Sequence, residues 1–143
     1  MQIQQITSTL FPPKNPTLHT IVNELIHDAA ALAVHNRNFV INNIPADLRI
    51  EANGTIVTSV LSKLFNTVFR HTQNSGILIS AKVYGMVVLV QVKSNGQISP
   101  ALPEDLGHAS QKARTTGGVV EVVHYENKEA SVAYCFLNVA AVA

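Results

Sequence analysis

The chain has 143 residues, a formal net charge of +1, 47% hydrophobic residues and one cysteine. That is enough chain for one domain with a real core, and a lone Cys135 excludes a disulfide framework and fits a reducing, cytoplasmic setting. The basic residues Lys63, Arg70, Lys82, Lys93, Lys112 and Arg114 are scattered without interleaved aromatics, so no nucleic-acid partner is expected. No run is apolar enough for a signal peptide or a membrane segment.

Residues 1–16 read as an extended lead-in, and residues 17–143 as the domain. Asn15 and Pro16 suit the cap and first position of a helix whose apolar face is Leu18, Ile21, Val22, Leu25, Ala29 and Leu32, ending near His35. Two short strands, 38–42 and 49–52, flank the turn Ile44-Pro45-Ala46-Asp47. Over residues 55–72, Val57, Val60, Leu61, Leu64, Phe65 and Val68 recur at three- and four-residue steps, which predicts a long amphipathic helix with one buried stripe. Residues 77–83 and 86–92 form a hairpin about Tyr84-Gly85, and Ser94-Asn95-Gly96 ends its second strand. The hollow between the helix and this corner is the candidate site.

Ser99-Pro100-Ala101-Leu102-Pro103 is a short connector, followed by a helix with Glu104 and Asp105 at its start and Gly117-Gly118 at its end. Residues 119–123 and 131–139 close the chain as a hairpin around Glu126-Asn127-Lys128. His19, His27 and His35 are eight residues apart, a spacing that turns the helix face by about eighty degrees, so they do not converge on a metal. They read as a solvated face rather than as phosphoacceptors. Cys135 reads as a small buried hydrophobe, and Ser62 and Thr67 have no His-Asp pattern that would make either a nucleophile.

From Asn53 through Val57, Val60-Leu61, Leu64-Phe65 and Arg70-His71-Thr72, the central helix resembles the motif helix of the histidine-kinase-type ATPase domain. This is the Bergerat fold, shared with type II topoisomerases and a class of chaperones. The resemblance continues through the strand 92–98, which stands at the family's Asp-x-Gly-x-Gly box, and through Gly117-Gly118, and covers roughly residues 17 to 139. It implies an α/β two-layer sandwich, with a mixed, mostly antiparallel sheet and three helices on one face. It also implies a nucleotide pocket built from Lys63, Thr67, Arg70, His71, Ser94, Gly96 and Gly107.

Several of these depart from the family pattern. Thr67 stands where the family has its magnesium-holding Asn, Lys63 replaces a carboxamide or carboxylate, and Asn66 is one residue off register. Ser94 replaces the Asp that hydrogen-bonds the adenine, and the second glycine of that box is missing. The lid is short, with only Leu106-Gly107-His108 where the family has a glycine-rich turn. His71 reads equally as a group near the phosphates and as a cation answering the helix dipole. The resemblance therefore implies a bacterial two-component-type signalling domain with a degenerate site, no catalytic residue, no metal and no cofactor, acting as an interaction module. The alternative is an active kinase using Mg-ATP, either a sensor-kinase catalytic fragment or a stand-alone serine kinase of the anti-sigma type. The expected partner is a signalling protein or a second copy, docking on residues 98–106 through an exposed Leu102 and Leu106.

Overall fold

The computed structural model describes residues 16–115, 117–126 and 129–140. Helix α1 (Leu18–Asp28) and the short α2 (Ala30–His35) are parted by a turn at Ala29, and strand β1 (Phe39–Asn42) follows. The long α3 (Gly54–Arg70) leads into the hairpin β2 (Thr72–Tyr84) and β3 (Val87–Ile98). The one-turn α4 (Leu102–Asp105) and α5 (Gly107–Thr115) precede the second hairpin, β4 (Val119–Glu126) and β5 (Glu129–Leu137).

The five strands form one sheet in the order β1-β2-β3-β5-β4, with β1 parallel to β2 and every other pair antiparallel. Side chains alternate along each strand, so Ile77, Ile79, Val88, Val90, Val92, Val132 and Tyr134 all point to one face. There they meet the stripe of α3, in which Val57, Val60, Leu61, Leu64, Phe65 and Val68 are at most 1% exposed. The result is a two-layer α+β sandwich of a mixed sheet under three helical arms: α1 with α2, α3, and α4 with α5. Among the described residues no helix is long and apolar enough to cross a membrane.

Side-chain amides fix both ends of the central helix. Asn53 caps α3, its Oδ1 accepting from Thr55 N at 3.0 Å and Ile56 N at 3.2 Å. Asn36 and Asn38 each donate to the Phe69 carbonyl, at 2.8 and 3.1 Å, and so satisfy an orphan acceptor of its last turn.

The fold departs from the sequence expectation at several places. Thr17 caps α1, its side chain accepting from Thr20 N, and Pro16 lies before the helix; Asn15 lies outside the described residues, as do Asn127 and Lys128 of the last turn. Residues 49–52 are no strand: Arg49 forms an isolated bridge with Thr17, and the Asn138 side chain donates to the Arg49 carbonyl and accepts from the Glu51 and Ala52 amides. Ser94-Asn95-Gly96 does not end β3, which runs on to Ile98. Instead it forms a kink against the irregular stretch of β2, where Asn74 has φ +51°. Asn95 Oδ1 accepts from Gly76 N at 2.9 Å, and Gly96 at φ +131° approaches the Asn74 and Gln73 carbonyls so closely that a Cβ would lie 2.8 to 2.9 Å from them. Leu102 and Leu106 are not exposed anchors: they are 0% and 3% exposed and belong to the core. Residues 102–115 are coiled into α4 and α5, which turn Leu102, Leu106, Ala109 and Ala113 inward together.

Candidate functional site: a polar groove along the central helix

The polar side of α3 is not flat surface. With α1 on one flank and α4 and α5 on the other, it floors a groove of about 750 Å³. Lys63, Asn66, Thr67 and Arg70 come from α3, Asp28 from α1, and Asp105, His108 and Lys112 from the far wall. Helical spacing explains that wall: burying Ala109 and Ala113 turns His108 and Lys112, one residue earlier in each case, toward the groove edge.

Three of the seven residues that the family pattern assigns to the pocket meet here: Lys63, Thr67 and Arg70. Thr67 is 7% exposed, and its Oγ1 donates to the Lys63 carbonyl at 2.7 Å. Its hydroxyl proton is thereby committed to its own helix. Lys63 and Arg70 are exposed cations on the same floor. Asn66, although turned by about a hundred degrees from Thr67, also lines the groove.

His71 caps the C-terminus of α3, its backbone N–H reaching the Thr67 and Val68 carbonyls. Its ring is turned toward α4, with Nε2 2.6 Å from Asp105 Oδ2. The alignment falls short of a hydrogen bond, so this is a charge contact when the ring is protonated, and it ties the end of α3 to α4.

The other assigned residues lie elsewhere. Ser94 is 5% exposed on the core side of β3, paired with Ile77 and Ala130, and does not line the groove. Gly96 faces the β2 backbone at the kink. Gly107 opens α5 in the open, where a Cβ would meet nothing within 4 Å, so no close approach there requires glycine. Phe65 and Phe69, stacked with ring centroids 6.0 Å apart, belong with Leu102 and Leu106 to the core beneath the groove. Asp28, Asp105, His108 and Lys112 were not assigned to the site from sequence. The spacing of Ala109 and Ala113 was the one signal that could have found the last two. Among the described residues no group of three His, Cys, Asp or Glu side chains could hold a metal ion.

This architecture is that of known signalling kinases. The chain superposes on the Acinetobacter baumannii histidine kinase AdeS with a TM-score of 0.73 at 10% identity, over 86% of this chain and 66% of that one. On the catalytic domain of histidine kinase ThkA the TM-score is 0.70 at 19% identity, over 87% of this chain and 96% of that one. A structure of ThkA in complex with the response regulator protein TrrA gives 0.66 at 20% identity, over 85% of this chain and 40% of that one. No family model and no curated protein sequence matches the chain. The chain has the histidine-kinase-like ATPase fold.

Proposed function

We propose that this is a histidine-kinase-like ATPase domain of a bacterial two-component-type signalling protein whose nucleotide site is degenerate, and that it works in the cytoplasm as a non-catalytic protein-interaction module. The observation that carries this reading is the separation of Ser94 from Lys63, Thr67 and Arg70: one is in the core, the others in the groove. Mg-ATP does not fit these residues. The position expected to hold magnesium is a Thr, 7% exposed, in place of a carboxamide, and Lys63 on the same groove floor repels a divalent cation. Ser94 offers no carboxylate to an adenine amino group. The segment that would form a mobile lid instead contributes Leu102 and Leu106 to the core.

A groove that keeps cations and loses its metal partners suits the side chains of a protein. The ThkA complex with a response regulator supports a signalling protein as the partner class. The competing reading, an active Mg-ATP-dependent kinase, is favoured by one feature, a groove large enough for a nucleotide beside the motif helix.

A thermal melt with and without 1 mM Mg-ATP separates the two. Losing two charge-assisted contacts of roughly 1.5 to 3 kcal/mol each weakens a micromolar site about a thousandfold. A ligand near its dissociation constant then stabilises the fold by only about 0.4 kcal/mol, giving no clear shift. Micromolar Mg-ATP binding by the unmodified chain would refute the degenerate reading. Ser94→Asp alone is expected not to create binding, because Lys63 and Thr67 still stand on the metal side of the site.

A further inference from the structure

Among the described residues the helices cover one face of the sheet only, and the other carries many exposed apolar side chains. Phe39, Ile41, Val87, Val119, Val123 and Leu137 are exposed there, from 36% at Val87 to 69% at Phe39, with Leu78 and Leu89 half-buried among them. An antiparallel face open to water normally alternates to polar residues. Among the strand residues whose side chains are described, four charges lie on this face, and they are divided by strand. Lys82 and Lys93 stand on β2 and β3, Glu121 and Glu129 on β4 and β5.

The register gives this division its meaning. Lys82 is level with Leu89, Cys135 and Val119, while Glu121 is level with Ala133, Gln91 and Ser80, one side-chain step further along the strands. Lys93 is level with Leu78 and Ser131, and Glu129 with Asn95, again one step further in the same direction. Consider a two-fold axis parallel to the strands and passing between β3 and β5. In the strand order β1-β2-β3-β5-β4 it sets β3 of one copy over β5 of the other, and β2 over β4. Lys82 then faces Glu121, and Lys93 faces Glu129, each displaced by the same two residues, about 7 Å along the strand, within reach of a lysine stem. One axis serves both pairs, and each occurs twice; Glu129 also interacts within its own chain and lines a hollow with Lys93, so the Lys82–Glu121 pair carries the charge argument. Leu89 meets Cys135 near the centre, and Val87 meets Leu137.

We propose that this sheet face is the interface of a symmetric homodimer in which two copies stack sheet on sheet, aligned as in a β-sandwich. Charge complementarity selects the occupant. A partner of one charge sign would be repelled by half of the face, whereas the chain itself carries the reversed order. Size is sufficient: the axis overlaps β2, β3, β5 and β4 and leaves β1, with Phe39 and Ile41, beyond the overlap; four strands about 4.8 Å apart, with β5 nine residues long, make a face of roughly 600 Å², at the lower end of one side of a standard interface. The inference is independent of whether the groove binds nucleotide, because the groove lies on the opposite side of the sheet.

Sedimentation equilibrium of the full chain tests it. The unmodified protein is expected to dimerise reversibly below about 100 µM. Lys82→Glu and Glu121→Lys, each placing like charges together twice per dimer, are expected to weaken association at least tenfold, while the double variant in one chain returns to within about threefold of the original. Both residues are exposed, so circular dichroism melts should stay unchanged. A monomer at every concentration, a dimer indifferent to either reversal, or a double variant as weak as the singles with its melt intact would each overturn the proposal.

Discussion

Replacing Leu102 by Ala tests whether the segment between β3 and β4 is a lid or part of the core. Leu102 is 0% exposed, its amide bonds to the Ser99 carbonyl at 3.1 Å, and it packs in the same cluster as Leu106 and Phe69. Truncating a buried Leu removes its transfer free energy and leaves a cavity, for about 3 kcal/mol in a well-packed site. An unfolding entropy near 0.3 kcal/mol/K for a chain of this size converts that into a fall of roughly 10 °C in Tm. Urea unfolding followed by circular dichroism, with the 75%-exposed Val34→Ala as the control, gives the comparison. A solvent-facing Leu102, as on a mobile lid, would cost under about 0.5 kcal/mol. If Leu102→Ala and Val34→Ala melt alike, the packing of α4 described above is wrong.

Three further outcomes follow from the same geometry. Leu64→Ala, at a 0% exposed position of the α3 stripe, should cost 2 to 5 kcal/mol by the usual range, and Ser62→Ala on the groove side under about 1, so equal midpoints in urea would refute the register of α3. Gly96→Ala forces a Cβ onto two backbone carbonyls at positive φ and should cost about 1 to 3 kcal/mol, read as a lower Tm. Burial pushes the Tyr134 phenol up to about 12. The folded state then holds a proton that the unfolded chain releases near pH 10, so stability should fall as pH rises from about 10 to 12, and fall less in Tyr134→Phe; an identical pH dependence in both proteins would exclude this cause.

Elements whose physics is local were legible in the sequence. The stripe of α3 is set by period, its cap by one Asn, and the first hairpin by Gly85 at φ +61° between β-branched runs. What escaped depends on distant partners. The strand expected at 49–52 fails because, beyond an isolated bridge from Arg49 to Thr17, its backbone is bonded by the side chain of the distant Asn138. Ser94-Asn95-Gly96 reads as a terminus, since Asn-Gly usually marks one, but the carboxamide of Asn95 is spent on Gly76 across the strand pair and pairing resumes. Leu102 and Leu106 looked exposed because a connector with two prolines offers too short a pattern to reveal which face is buried. Of the site, sequence register identified the floor of the groove, and only the packing of α5 supplied its wall.

The two sides of α3 answer to different constraints. Its apolar side is held by many close-packed neighbours, so a change there costs stability directly. Its polar side borders the groove, where exposed positions such as Lys63 and Arg70 accept substitution at little cost to folding. A pattern of buried residues therefore recovers the architecture at 10 to 19% identity to AdeS and ThkA, while the groove residues are free to take up a different ligand. The same separation applies across the sheet. The core lies between the groove and the helix-free face, so a dimer stacked on that face leaves Lys63, Arg70 and His108 open to a second protein. Partner binding in the groove should then leave the dimer constant unchanged, because two sites that share no two-state element have no coupling free energy to exchange.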